Sequence, residues 1–163
     1  MHQLTRTAVA AVATSAALAG TVAVAAPAQA ATRECYTNNR SISLPNKPDV
    51  DVRMTLCVER DGGLVQAQAY LSWSGNYGWI GGDRFNSFSV QLRLERYDDV
   101  KKSTTYSQLW GLNNQYSNST SNNVYLTDRP AGGWSADGVI TYDVAGDGLG
   151  ATTWNLHGSP VIS

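Results

Sequence analysis

The side chains best suited to chemistry in this 163-residue chain are aromatic. Five tryptophans and eight tyrosines all lie beyond residue 30. Tyr77, Trp79 and Trp134 sit in glycine-rich stretches, Ser74-Gly-Asn-Tyr-Gly-Trp-Ile-Gly-Gly-Asp-Arg84 and Gly132-Gly133-Trp134, rather than in alternating strand segments. With Asp83 and Arg84 they make a set that suits a sugar: rings stack on the C–H face of a pyranose, while carboxylate and guanidinium fix its hydroxyls. The same residue types suit a protein partner, because Trp, Tyr and Arg dominate binding hot spots. The bland alternative is that these rings plug the end of a β-sandwich. Trp73 and Trp154 share the apolar phase of their own segments and are expected in the core.

Catalytic sets are thin. The only histidine beyond residue 30 is His157, and no serine occupies a Gly-x-Ser-x-Gly elbow, so a Ser-His-Asp triad and a multi-histidine metal site are not expected. A hydrolase built on two carboxylates remains as a third option. However, Glu59 and Glu95 fall at outward strand positions, and Asp61, Asp98 and Asp99 fall at turns, where aspartate bonds its own backbone. Asp143 and Asp147, within Asp-Val-Ala-Gly-Asp-Gly-Leu-Gly, are a calcium candidate, with Asp128 and Asp137 as outside ligands. The spacing is not that of an EF-hand, and Asp-Gly is also an ordinary turn signature. No other cofactor is expected.

The elements that must position these groups alternate with a period of two. Val50, Val52, Met54, Leu56 and Val58 share one face of a strand, and Cys57 points to the other. Asp61-Gly62-Gly63 is a hairpin turn into Val65, Ala67, Ala69, Leu71 and Trp73. Phe88, Val90, Leu92 and Leu94 mark a third strand. A fourth is expected over 104–112, where Tyr106, Trp110 and Leu112 share parity, and the polar run 113–123 is expected to be a surface loop. Residues 124–127 form a short strand that Pro130 stops from extending. Ile140, Tyr142 and Val144 then pair across Gly146-Asp147-Gly148 with Thr152, Trp154 and Leu156, and 160–163 can add an edge. Seven to nine short strands with frequent turns predict an all-β fold, an antiparallel β-sandwich, with a β-barrel second.

Residues 1–30 read as a cleavable signal peptide: Arg6, an uncharged Ala/Val/Leu/Thr run from Thr7 to Val24, and small residues at Ala28 and Ala30 before a cut ahead of Ala31. The run is too rich in alanine and threonine to make a good membrane anchor. Residues 31–163 are then one secreted domain, expected to be a monomer. In that oxidising compartment Cys35 and Cys57, the only cysteines, are expected to form a disulfide tying an N-terminal strand or arm across the outer side of the 50–58 strand. Without Arg6, eleven basic side chains face thirteen acidic ones with no basic run, so nucleic acid is not an expected partner, nor is a membrane after cleavage.

Gly81-Gly82-Asp83-Arg84-Phe85, Gly132-Gly133-Trp134-Ser135 and Thr153-Trp154-Asn155-Leu156, behind an Ala-rich leader, resemble small secreted β-domain proteins of actinomycetes. That resemblance implies secretion and a compact β domain and carries over no catalytic residue. The chain lacks the four-cysteine pattern of the secreted subtilisin inhibitors of those bacteria. The leading expectation is a non-enzymatic module binding extracellular polysaccharide or cell-wall glycan through Tyr77, Trp79, Asp83, Arg84 and Trp134. The alternative is a protein-interaction module, inhibitor or toxin-like, presenting the 74–84 loop.

Overall fold

The computed structural model describes residues 31–75, 82–115 and 117–163. The strands are β1 (Thr32–Leu44), β2 (Lys47–Asp61), β3 (Leu64–Ser74), β4 (Phe85–Arg96), β5 (Asp99–Ser107), β6 (Ser117–Leu126), β7 (Trp134–Val144) and β8 (Thr152–Asn155), with one short helix, α1 (Leu109–Asn114). They form two antiparallel four-stranded sheets, β1-β2-β3-β6 and β5-β4-β7-β8, packed as a β-sandwich.

Alternation drives the packing. Val50, Val52, Met54, Leu56 and Val58 are fully buried, and their β3 partners Val65, Ala67, Ala69, Leu71 and Trp73 point to the same side. Phe88, Val90, Leu92 and Leu94 of β4, with Ala136, Ile140, Tyr142 and Val144 of β7, close the core from the second sheet. Each large apolar side chain so removed from water contributes about 1.5–3 kcal/mol. Phe85, Phe88 and Tyr142 form a ring cluster at one end, Phe85 lying edge-on to Phe88 at 5.4 Å and Phe88 stacked on Tyr142 at 6.0 Å. Gly138 of β7 leaves no room for a side chain: a Cβ there would lie 2.7 Å from the Gln91 carbonyl oxygen.

The expected hairpins form. Gly62, with φ of 55°, turns β2 into β3, and Ile140 and Tyr142 pair with Trp154 and Thr152. Three expectations are corrected. The fourth strand ends at Ser107, and 109–114 is helical. The shared parity of Tyr106 and Leu112 is coincidental, because Leu112 reaches the core from α1. The polar run 113–123 is a loop only in part, since from Ser117 it is β6, paired residue for residue with β3. Its sequence carries no apolar alternation because β6 is an edge strand in which Asn118, Thr120 and Asn122 take the inward phase opposite Trp73, Leu71 and Ala69, while Ser119, Ser121 and Asn123 face outward. The open backbone donors and acceptors of β3 select it instead. Near the C-terminus, only Ile162 bridges to Trp134.

The Cys35–Cys57 disulfide is present, and the two residues are direct partners on neighbouring strands. The bridge therefore staples edge strand β1 to β2 along the outer face, rather than carrying an arm across β2. Asn113 performs a second stapling. Its Oδ1 accepts the backbone N–H of Arg84 and of Phe85, each at 3.0 Å, and its Nδ2 donates to the Phe85 carbonyl at 2.9 Å. One amide thus stands in for a strand neighbour and fixes α1 on the start of β4.

Candidate functional site

Of the residues grouped by sequence, Arg84 and Trp134, both described, are not grouped in space. Tyr77 and Trp79, like the expected leader, lie outside the described residues. Asp83 is exposed, and its backbone carbonyl accepts a hydrogen bond from Lys47 Nζ. Arg84 turns inward: it is 5% exposed, and its Nη1 donates to the carbonyls of Leu112 and Gln115 at 3.0 and 3.2 Å. It closes the C-terminal end of α1, and its burial pulls the guanidinium pKa down. Trp134 is 2% exposed, with its indole N–H donated to Pro130 at 2.9 Å, so it has no free face for stacking. It also pairs with Arg96, whereas Arg84 precedes Phe85, at the other end of the twelve-residue β4. At the rise of a β-strand, the two positions are about 35–40 Å apart.

The calcium candidates divide as well. Asp143 accepts from Asn86 Nδ2 at 3.1 Å, while Asp147 accepts from the backbone N–H of Leu149 at 2.9 Å, the local bond of an aspartate turn. Asp137 pairs with Arg93 at 2.7 Å, and Asp128 occupies a turn with φ of 54°. Among the described residues no group of three or more His, Cys, Asp or Glu is arranged to hold a metal ion. His157 is held through its backbone by Asn38 and sets its ring 4.3 Å from Tyr36.

Arg93, Asp137 and Glu95 form a charged cluster on the outer face of the second sheet, with Arg93 Nε 3.0 Å from Glu95. Burial, reinforced by the neighbouring Asp137, raises the Glu95 pKa above the ordinary glutamate value. A group whose folded pKa is raised stabilises the fold fully below its unfolded pKa, and that contribution disappears as pH climbs through the folded pKa. Glu95→Gln should therefore gain Tm relative to wild type as pH rises from about 4 to 7. Thermal melts of both proteins across that range check it, and a constant difference would contradict it.

The outer face of the first sheet brings together what the sequence had left apart. Antiparallel register lines up Asn39, Arg53, Ser72 and Ser119 in one row across the four strands, and Thr37, Thr55, Tyr70 and Ser121 in the next. Two adjoining cavities open on this face and share Arg53 and Ser72. The larger, about 410 Å³, adds Asn39, Ser41, Asp51 and Ser74; the smaller, about 300 Å³, adds Thr55, Tyr70, Ser119 and Ser121. Tyr70 leans along its strand, donating its hydroxyl to Gln68 Oε1 at 2.6 Å and accepting from Arg33 Nη2 at 3.0 Å. Arg33 also lies 5.5 Å from the Tyr70 ring centroid, so it holds both the hydroxyl and the ring. Thr37 and Thr55 share a hydroxyl bond of 2.9 Å. The exposed Arg53 side chain makes no hydrogen bond or ion pair among the described residues.

Little in the local sequence marks this face, because its residues come from four strands far apart in the chain. One signal did exist. In β3 the polar phase reads Gln66, Gln68, Tyr70, Ser72 and Ser74, and Tyr70 is its single aromatic. No family model, curated protein or solved structure matches this chain.

Proposed function

We propose that the protein is a secreted, non-enzymatic module that binds extracellular polysaccharide or cell-wall glycan on the outer face of the β1-β2-β3-β6 sheet. The observation that carries this is the pair of adjoining cavities lined by hydroxyl, amide and guanidinium groups beside the fixed Tyr70 ring. Strand spacing of about 4.8 Å sets these groups in a regular grid of donors and acceptors across the face. Tyr70 offers an apolar ring, and Arg53 at the shared wall of both cavities offers unspent donors. The Cys35–Cys57 bridge fits an oxidising compartment. No helix among the described residues is long and apolar enough to cross a membrane.

The test is a titration of the protein lacking residues 1–30 with chitin, cellulose, xylan and peptidoglycan fragments, read by calorimetry and by retention on the insoluble polymer. One glycan should bind saturably. Arg53→Ala and Tyr70→Ala should each weaken it about tenfold or more, corresponding to about 1.4 kcal/mol. Both residues are exposed, so their variants should melt close to wild type. Absence of binding to every polymer, or unchanged affinity in both variants, would refute the proposal.

A further inference from the structure

Three cations from separate stretches meet at the opposite end of the first sheet, away from Ser74. Arg96 ends β4, Lys101 is the third residue of β5, and Arg129 lies in the β6–β7 connection. They line one cavity of about 280 Å³, whose other walls are Leu126, Pro130 and Trp134. Among the described residues no carboxylate lines it.

Each cation is held differently. Arg96 donates Nε to the Gly132 carbonyl at 3.1 Å and Nη2 to that of Ala131 at 3.3 Å, and its guanidinium lies 5.5 Å from the Trp134 ring. Its orientation is thereby set before any ligand arrives. Lys101 is 3.3 Å from Asp99, whose side chain is 78% exposed. Arg129 is pinned by its backbone N–H to Gly63 at 3.1 Å, while its side chain makes no hydrogen bond or ion pair among the described residues.

We propose that this cavity binds a phosphate group, as inorganic phosphate or at the end of a phosphomonoester. Three positive side chains around one hollow repel one another, and Asp99 offsets only one of them. A dianion relieves what remains, whereas a single carboxylate leaves a positive charge uncompensated. Arginine presents planar forks of donors that match phosphate oxygens, and charge-assisted bonds of this kind are the strong ones. At about 30 Å³ for each water-sized group, a five-atom oxyanion takes roughly 150 Å³. The remaining room, against Leu126 and Pro130, suits the carbons of an ester. This site is independent of the glycan face, with which it shares no lining residue.

Calorimetry at low salt with inorganic phosphate, glycerol 1-phosphate and acetate tests it, together with the NMR shift of the Trp134 indole N–H. Saturable one-to-one binding of a phosphate is expected, with acetate at least tenfold weaker and the indole signal moving. Tighter binding of glycerol 1-phosphate assigns the ester as the source; equal or weaker binding assigns the free ion. Arg129→Gln, at an exposed position, should weaken binding about tenfold with its Tm unchanged, and Arg53→Gln should leave it as in wild type. Acetate binding as tightly as phosphate, no saturable binding, or undiminished affinity in Arg129→Gln would overturn it.

Discussion

Trp134→Ala should destabilise the protein by about 3–5 kcal/mol, the range for emptying a buried tryptophan site. Trp134 is among the largest fully buried side chains, and it makes three further contacts, two of them through its ring. Its indole N–H satisfies the Pro130 carbonyl, Arg96 lies over its ring, and its backbone carbonyl accepts the N–H of Ile162 at 2.9 Å. The backbone bond survives substitution, but the ring that packs β7 against the β4 end of the core does not. At this chain length about 1 kcal/mol moves Tm by roughly 3–5 °C, so a fall of about 10–20 °C is expected. Trp110→Ala supplies the comparison: that ring is 68% exposed, and its loss should cost less than about 0.5 kcal/mol. Thermal or urea melts of both variants decide the matter. Equal stabilities would mean that Trp134 does not carry core packing.

Cys35→Ser combined with Cys57→Ser, or reduction of the wild-type bridge, should cost about 3 kcal/mol on the loop-closure estimate. The two cysteines are 22 residues apart, and the loop they close contains the whole β1–β2 turn. In the folded state the loss falls on an edge: β1 has a ladder on one side only, to β2. Cys57 is buried beneath Arg33, whose Nη2 lies 3.5 Å from its sulfur and 3.0 Å from the Tyr70 hydroxyl. Opening the bridge therefore loosens the contact that holds the Tyr70 ring. A melt with and without reductant should show a fall in Tm of roughly 10 °C. A shift below about 3 °C would show that the β1–β2 ladder holds the edge unaided.

Much of the architecture was legible one segment at a time. Val50 to Val58 declared its buried face by alternation alone, because a strand half in water must separate apolar from polar side chains every second residue. The glycines at 62, 146 and 148 take backbone angles that other residues resist, so the hairpin turns were readable too. The edge strand β6 and helix α1 were not. β6 is selected by the open hydrogen-bonding edge of β3, which no local pattern reveals, and α1 is held by contacts distant in sequence, Arg84 donating to its carbonyls and its own Asn113 pairing with the start of β4.

Taken alone, then, the sequence determined which faces of β2, β3 and β4 enter the core, where the chain reverses and that the two cysteines can pair. Period-two burial, glycine backbone freedom and the presence of only one cysteine pair are all local or compositional properties. Only the tertiary structure decided which polar residues share a surface. It sent Arg84 and Trp134 inward at opposite ends of β4, and it aligned Asn39, Arg53, Ser72 and Ser119 across four strands. It also brought Arg96, Lys101 and Arg129 to one hollow. The reason is register: pairing between strands tens of residues apart is set by the fit of the whole core, and side chains on the outer faces go where that fit places them.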